Sequence, residues 1–209
     1  MSMNCDALLE KAKKGQTLTD EELSWARQAL VAPREACDPY TAIHVLWKTR
    51  DRRSRAQIAS AVTSADEMVR RIALQALAEL WPSEDIHDIA IQLMNQDESK
   101  YVRMAAATVV GDLGASLPQR APRAAFELLK ALEASNAPKG PEWESYYEGL
   151  LNLLRVPVSA RPPATAPLNP RDIDPAVLAA ARALAANAAW TDKPPGRQGR
   201  STNDDRRGK

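Results

Sequence analysis

Two histidines, two cysteines and one arginine run are the residues with the chemistry to bind or react, and their spacing argues against most of it. His44 and His87 fall in separate helical segments, and neither has a cysteine or carboxylate at ligand spacing, so no metal site is expected. Cys5 and Cys37 are too few for a disulfide framework in 209 residues. They read as small hydrophobes in a reducing compartment, although Cys37 has charged neighbours in Arg34 and Asp38. No P-loop, glycine-rich dinucleotide turn or nucleophile elbow is present. Asp204 and Asp205 are adjacent, but they stand in a polar tail where nothing fixes their geometry. The expectation is a protein that is not an enzyme, with no catalytic residues and no cofactor. The run Arg50-Asp51-Arg52-Arg53-Ser54-Arg55 has the charge to hold phosphates or an acidic partner. Asp51 dilutes it, and a solvated turn between helices is the favoured reading.

The elements around these residues are helical. Val69-Arg70-x-x-Ala73-x-x-Ala76-Leu77-x-x-Leu80 returns 33 residues later as Val102-Arg103-x-x-Ala106-x-x-Val109-Val110-x-x-Leu113. Offsets of three and four place these side chains on one helical face. A fixed period of this size means stacked units, none able to bury its apolar face alone. Alanine and leucine dominate the composition and there is one Phe, which suits closely packed helices.

The spacing predicts a helix over 5–14 ended by Gly15, then a capping box at Thr19 and Glu22 opening a helix to Ala32, with Leu23, Ala26, Leu30 and Trp25 as its buried stripe. Asp38-Pro39 opens a third, with Ile43, Leu46 and Trp47 apolar. Ile58 and Val62 share a face, matched at a shift of 31 by Ile89 and Leu93. Trp81-Pro82-Ser83 and Gly114–Pro118 separate units. Helices over 124–134 (core Phe126, Leu129, Leu132) and 142–155 (Trp143, Tyr147, Leu150, Leu151, Leu154) form a divergent last pair. A proline-rich linker over 156–171 leads to an alanine-rich helix over 172–190, which docks through Val177, Leu178, Leu184 and Trp190 or floats. A polar tail over 191–209 is expected to be disordered.

Asp97-x4-Val102-Arg103-x-x-Ala106 resembles the second-helix signature of HEAT repeats, in particular the short bacterial kind seen in phycobilin lyase subunits. The resemblance implies an all-α fold: a right-handed α-α superhelix, a HEAT-like solenoid of about four helical pairs over 1–155. It also implies a polar ladder between neighbouring repeats, made by an Asp in the inter-helix turn and the Arg after the Val. Asp97 and Arg103 match both positions. In the preceding unit Arg70 matches, but Ser64 stands at the Asp position and leaves that rung incomplete, with Asp66 displaced by two. Ankyrin and tetratricopeptide signatures are absent.

Second helices line the concave side of such a solenoid, as the resemblance implies. Once the buried positions are removed, Arg71, Leu74, Gln75 and Ala78 face the groove in one unit, and Met104, Ala107, Thr108 and Gly111 in the next. Trp47, Lys48, Tyr146 and Glu148 flank them. Aromatic and Arg side chains are the usual anchors of protein interfaces. The leading functional reading is a non-catalytic adaptor or an inhibitor of immunity-protein type, acting as a monomer on a protein partner. The alternative for Leu74 and Met104 is that they simply pack on a neighbouring helix.

A nucleic-acid-binding HEAT protein in the style of the alkylpurine DNA glycosylases would need a basic groove with an aromatic and a carboxylate close together. Arg71 and Trp47 are candidates, but a formal charge of +1 argues against it. An accessory subunit of a chromophore lyase rests on the repeat resemblance alone. No apolar run approaches the roughly 18 to 20 residues needed to span a bilayer. Residues Met1 to Asp6 lack the basic and apolar regions of a signal peptide, so a cytoplasmic location is expected.

Overall fold

The computed structural model describes residues 4–33, 35–134, 140–162, 168 and 173–187. These residues contain no strand and fold into α1 (Cys5–Lys13), α2 (Asp20–Val31), α3 (Pro39–Lys48), α4 (Arg55–Ala61), α5 (Glu67–Leu80), α6 (Glu84–Gln96), α7 (Lys100–Ser116), α8 (Ala121–Ala134), α9 (Pro141–Leu153) and α10 (Pro175–Ala186). Single 3-10 turns lie at Arg52–Ser54 and Val158–Ala160. Helix α3 packs on α5, α5 on α7 and α7 on α9, which makes an inner layer. The outer helices α2, α4, α6 and α8 each pair with the inner helix that follows, as consecutive antiparallel helices with short connections do. The chain is thus an α-solenoid of four helical pairs, with α1 laid against α3 at one end and α10 against α8 and α9 at the other.

Helix starts are written in local chemistry. Thr19 accepts from the Glu22 N–H while Glu22 accepts from the Thr19 N–H, closing the expected capping box at 3.2 and 2.8 Å. Asp38, Asp66, Ser99 and Asp174 each accept at the N-cap of α3, α5, α7 and α10. Asp66, displaced from the ladder position, serves as a cap. Gly15 takes φ +71 just past the end of α1, a left-handed position that glycine fills without strain.

The repeated stripe is the core. Val69, Ala73, Ala76, Leu77 and Leu80 are buried, as are Val102, Ala106, Val109, Val110 and Leu113. Four expectations need correcting. On α6 the buried residues are Ile86, Ala90, Ile91 and Met94, while Ile89 and Leu93 are only partly covered; Ile91 lies 33 residues after Ile58, so the repeat holds and the shift of 31 does not. Phe126 is exposed, and α8 buries Ala125 and Leu128 instead. Helix α7 runs straight through Gly114 to Ser116, because Gly114 gives room to Ala124 and Leu153 rather than ending the helix. Leu153, not Leu154, completes the buried face of α9.

Cys5 and Cys37 form a disulfide, with Cα atoms 4.9 Å apart, in a small cluster with Ala29 and Ala42. It fastens α1 to the turn before α3, and it removes the ground for expecting unpaired cysteines in a reducing compartment. The proline-rich segment is also tied down where it is described. Leu168 N–H donates to Glu144, Asp174 N–H to the Tyr147 hydroxyl, and Val177 and Ala181 are buried, so the C-terminal helix docks. Trp190 and the tail over 191–209 lie outside the described residues. Among the described residues no helix is long and apolar enough to cross a membrane.

Candidate binding groove

The ladder binds successive units. Arg70 forks onto both Asp97 oxygens at 2.8 Å and turns its remaining nitrogen to the carbonyls of Ser64 and Ala65. Arg103 repeats the arrangement one unit on, with its own turn carbonyls at Asp97 and Glu98 and with Glu142 as the acid. Each Arg therefore caps its own turn and grips the acid of the next unit. The rung at Arg70 is complete despite Ser64, and Glu142 supplies the last acid from the first turn of α9. Burial works against the Asp97 carboxylate, but the Arg70 fork and the Ser99 N–H outweigh it and hold its pKa below the usual range. Ser99 in turn donates to Glu67, joining the starts of α5 and α7.

Three of the four arginines of the run also pair within the fold. Arg50 pairs with Glu79, Arg53 with Asp20 and Asp51, and Arg55 with Asp85, while the buried Asp51 also receives Arg27 at 2.6 Å. On the outer face Arg120 and Arg123 converge on Asp88. Beneath them His87 is fully buried with both ring nitrogens unpartnered. Its pKa is lowered to about 4, by burial first and the Arg120 charge second. No group of His, Cys, Asp and Glu among the described residues could hold a metal ion.

The inner layer presents an open cavity of about 410 Å3 across α3, α5, α7 and α9. Tyr40, His44 and Trp47 form one wall, since offsets of four and three put them on one face of α3. Tyr40 meets His44 edge-on at 4.6 Å, and His44 stacks with Trp47 at 6.0 Å. The Trp47 indole N–H donates to Glu79, which fixes the ring. Burial lowers the His44 pKa, with the Lys48 charge adding to it, which favours the neutral ring. Arg71, Ile72 and Gln75 come from α5, Tyr101, Met104, Ala105 and Thr108 from α7, and Ser145 from α9. The Arg71 guanidinium reaches the Met68 sulfur at 3.3 Å and forms no ion pair among the described residues.

Of the nine expected groove residues, Trp47, Arg71, Gln75, Met104 and Thr108 are brought together around this cavity. Lys48 and Glu148 are exposed beyond its lining. Leu74 and Tyr146 are buried: Leu74 packs in the core, and Tyr146 lies against α7 with its hydroxyl donated to Glu142 at 2.8 Å. The same correction applies to Ala107 and Gly111, which are covered by α9. Helix α9 comes so close that a Cβ on Gly111 would run into the Gly149 carbonyl oxygen, and one on Gly149 would stand 2.7 Å from that of Ala107. Sequence reasoning missed Tyr40, His44 and Tyr101. The i, i+4, i+7 spacing of Tyr40, His44 and Trp47 was the available signal for the first two. For Tyr101 it was the 33-residue offset from Met68, since both are exposed at 48% and 38%.

Residues 55–139 match the family model for HEAT repeats, a span that runs from the start of α4 past the end of α8. No curated protein and no solved structure matches the chain. The matched segment, with its repeated stripe and its Arg-acid ladder, is similar to the HEAT repeats and supports that assignment for the repeats it spans.

Proposed function

We propose that this chain is a non-catalytic, monomeric protein-binding module, an adaptor or an inhibitor, that holds a segment of its partner in the inner-layer groove. HEAT repeats commonly mediate protein–protein interaction. The observation that carries the reading is Arg71, a cation without an acidic partner, set among Trp47, Tyr40, Tyr101 and Met104. Other large clusters of charge take part in the fold: Arg53 and Arg55 of the arginine run pair with Asp20 and Asp85 on the neighbouring outer helices, and the ladder joins the units. A half-exposed Arg beside rigid aromatic rings has the composition of an interface anchor. Its position on the second helices agrees with the surface that solenoids use for partners.

The test is a tagged pull-down from the native host at moderate salt, with nuclease treatment and with Arg71→Glu and Met104→Asp as controls. One stoichiometric protein, retained after nuclease and lost in both variants, is the expected result. Nuclease-sensitive material would favour a nucleic-acid partner, and a protein retained by both variants would place the interface elsewhere.

A further inference from the structure

The groove is polarised. Arg71 stands near the start of α5 and lacks an acidic partner. Towards the other end of the same face lie Asp112, one turn after Thr108 on α7, and Glu148, one turn after Ser145 on α9. Neither carboxylate forms an ion pair among the described residues. They sense each other: partial desolvation raises the Asp112 pKa, the Asn152 side chain offsets part of this, the charge of Glu148 adds to the rise, and the charge of Arg161, which donates to Asn152, works against it. Arg71 and Met104 occupy equivalent positions in the 33-residue repeat. Asp112 follows Met104 by eight residues, a rise of about 12 Å at 1.5 Å per residue. Met104 and the hydroxyl of Thr108 lie before Asp112 on α7, and the aromatic wall of α3 borders the same cavity from the other side of α5.

We infer that the groove selects a bipolar protein segment. An acidic side chain meets Arg71, a large apolar side chain lies on His44, Trp47 and Met104, and a basic side chain reaches Asp112 and Glu148, about 12 Å further along the helix axes and one to two helices across. The inference rests on the protein-binding reading and adds the chemistry of the partner. A polyanion is a poor occupant, because a phosphate backbone that satisfies Arg71 carries its next charges towards two carboxylates that form no ion pair among the described residues. A uniformly basic segment is poor for the mirror reason.

The experiment is selection from a random peptide library displayed between fixed flanks, on the full chain. Selected peptides are expected to carry an acid and a base at least about four residues apart if extended, or at least about eight if helical, with an apolar residue between them. Arg71→Glu should weaken a selected peptide about tenfold or more, and the same peptide with its acid changed to Lys should recover binding to that variant. Glu148→Lys should act likewise on the basic residue. Selected peptides lost with Met104→Asp but indifferent to both charge reversals would overturn the inference and leave the groove standing as a protein-binding surface. A library yielding no Met104-dependent binder would overturn both. Tighter binding of a mixed-sequence single-stranded oligonucleotide, abolished by Arg71→Glu, would overturn the inference in favour of a polyanion. Thermal unfolding of each variant at the wild-type midpoint shows that the fold is intact.

Discussion

The two sides of helix α7 are built for opposite purposes. Towards α9 it offers Ala107 and Gly111, and the two backbones nearly touch through Gly149. Towards α5 it offers Met104, Ala105 and Thr108 against Arg71, Ile72 and Gln75, and a cavity opens between the side chains. In the 33-residue repeat Gly111 takes the place of Ala78 one unit on, and it faces Gly149, which has no Cβ either, so one unit contact is sealed where its neighbour is merely packed. The lesson is that residue size along a common frame decides which contact is cement and which is surface. A tight α7–α9 contact also gives the groove a rigid far wall, and rigidity lowers the entropic cost of binding.

The most severe way to break this comparison is Gly111→Val. Overpacking usually costs about 1–3 kcal/mol, occasionally more, and here the obstacle is a backbone carbonyl rather than a side chain that can turn away. The expected outcome is loss of cooperative unfolding by circular dichroism, while Ala78→Val on the partly buried side of α5 still unfolds cooperatively. A normal melt for Gly111→Val would mean that α7 and α9 are not in backbone contact.

Next comes the bond between units. Asp97→Ala leaves Arg70, only 7% exposed, with no acid but the exposed Glu98 at 3.5 Å. Removing one partner of a buried pair costs about 3–5 kcal/mol. Asp85→Ala removes an exposed partner of Arg55 and should cost less than about 1 kcal/mol. Urea denaturation of both variants checks the ranking. Equal losses would show that the ladder is no more than a surface pair.

These two cases show what was legible in the sequence. The repeated stripe and the Arg positions could be read because one spacing recurs twice in register. The destination of each Arg could not, since Arg70 reaches an acid 27 residues on, and only the stacking of units decides that. Helix α6 hides its phase because Ile86, Ile89, Ile91 and Leu93 surround it with apolar residues, and periodicity selects no single face. Leu74 and Tyr146 were placed in the groove by subtracting one buried stripe, but an inner helix of a solenoid is covered on several sides at once. The Cys5–Cys37 bond depends on α1 folding back on α3, a contact with no local signature.

A smaller effect should appear with pH on the outer face, away from both α7 contacts. His87 holds a pKa of about 4 in the fold, against about 6.5 in an unfolded chain. Its contribution is complete above pH 6.5. As pH falls towards 4 the unfolded chain takes a proton that the folded chain refuses, and stability drops by up to about 3 kcal/mol. Carboxylates such as Asp97, whose folded pKa is lowered, add losses of the same sign at lower pH. The readout is therefore a difference: wild type should lose stability relative to His87→Leu between pH 6.5 and 4. Parallel pH profiles for the two proteins would mean that His87 is hydrated and titrates normally.

The smallest expected effect is also the most discriminating for function. If α5 and α7 face each other across a surface built for a partner, the side chains there contribute little to the fold. Gln75→Ala and Arg71→Gln should each change unfolding free energy by about 0.5 kcal/mol or less, because neither side chain fills a buried volume and Arg71 neutralises no acid. Yet both should weaken a bound segment, since a groove residue acts only when something covers it. Stability and binding therefore separate along α7, with Gly111 governing the first and the residues around Met104 the second. A drop in stability on Arg71→Gln comparable to that on Asp97→Ala would join the two again: the cation would then belong to the architecture, and the groove would have lost the one charge near the start of α5 that the fold does not use.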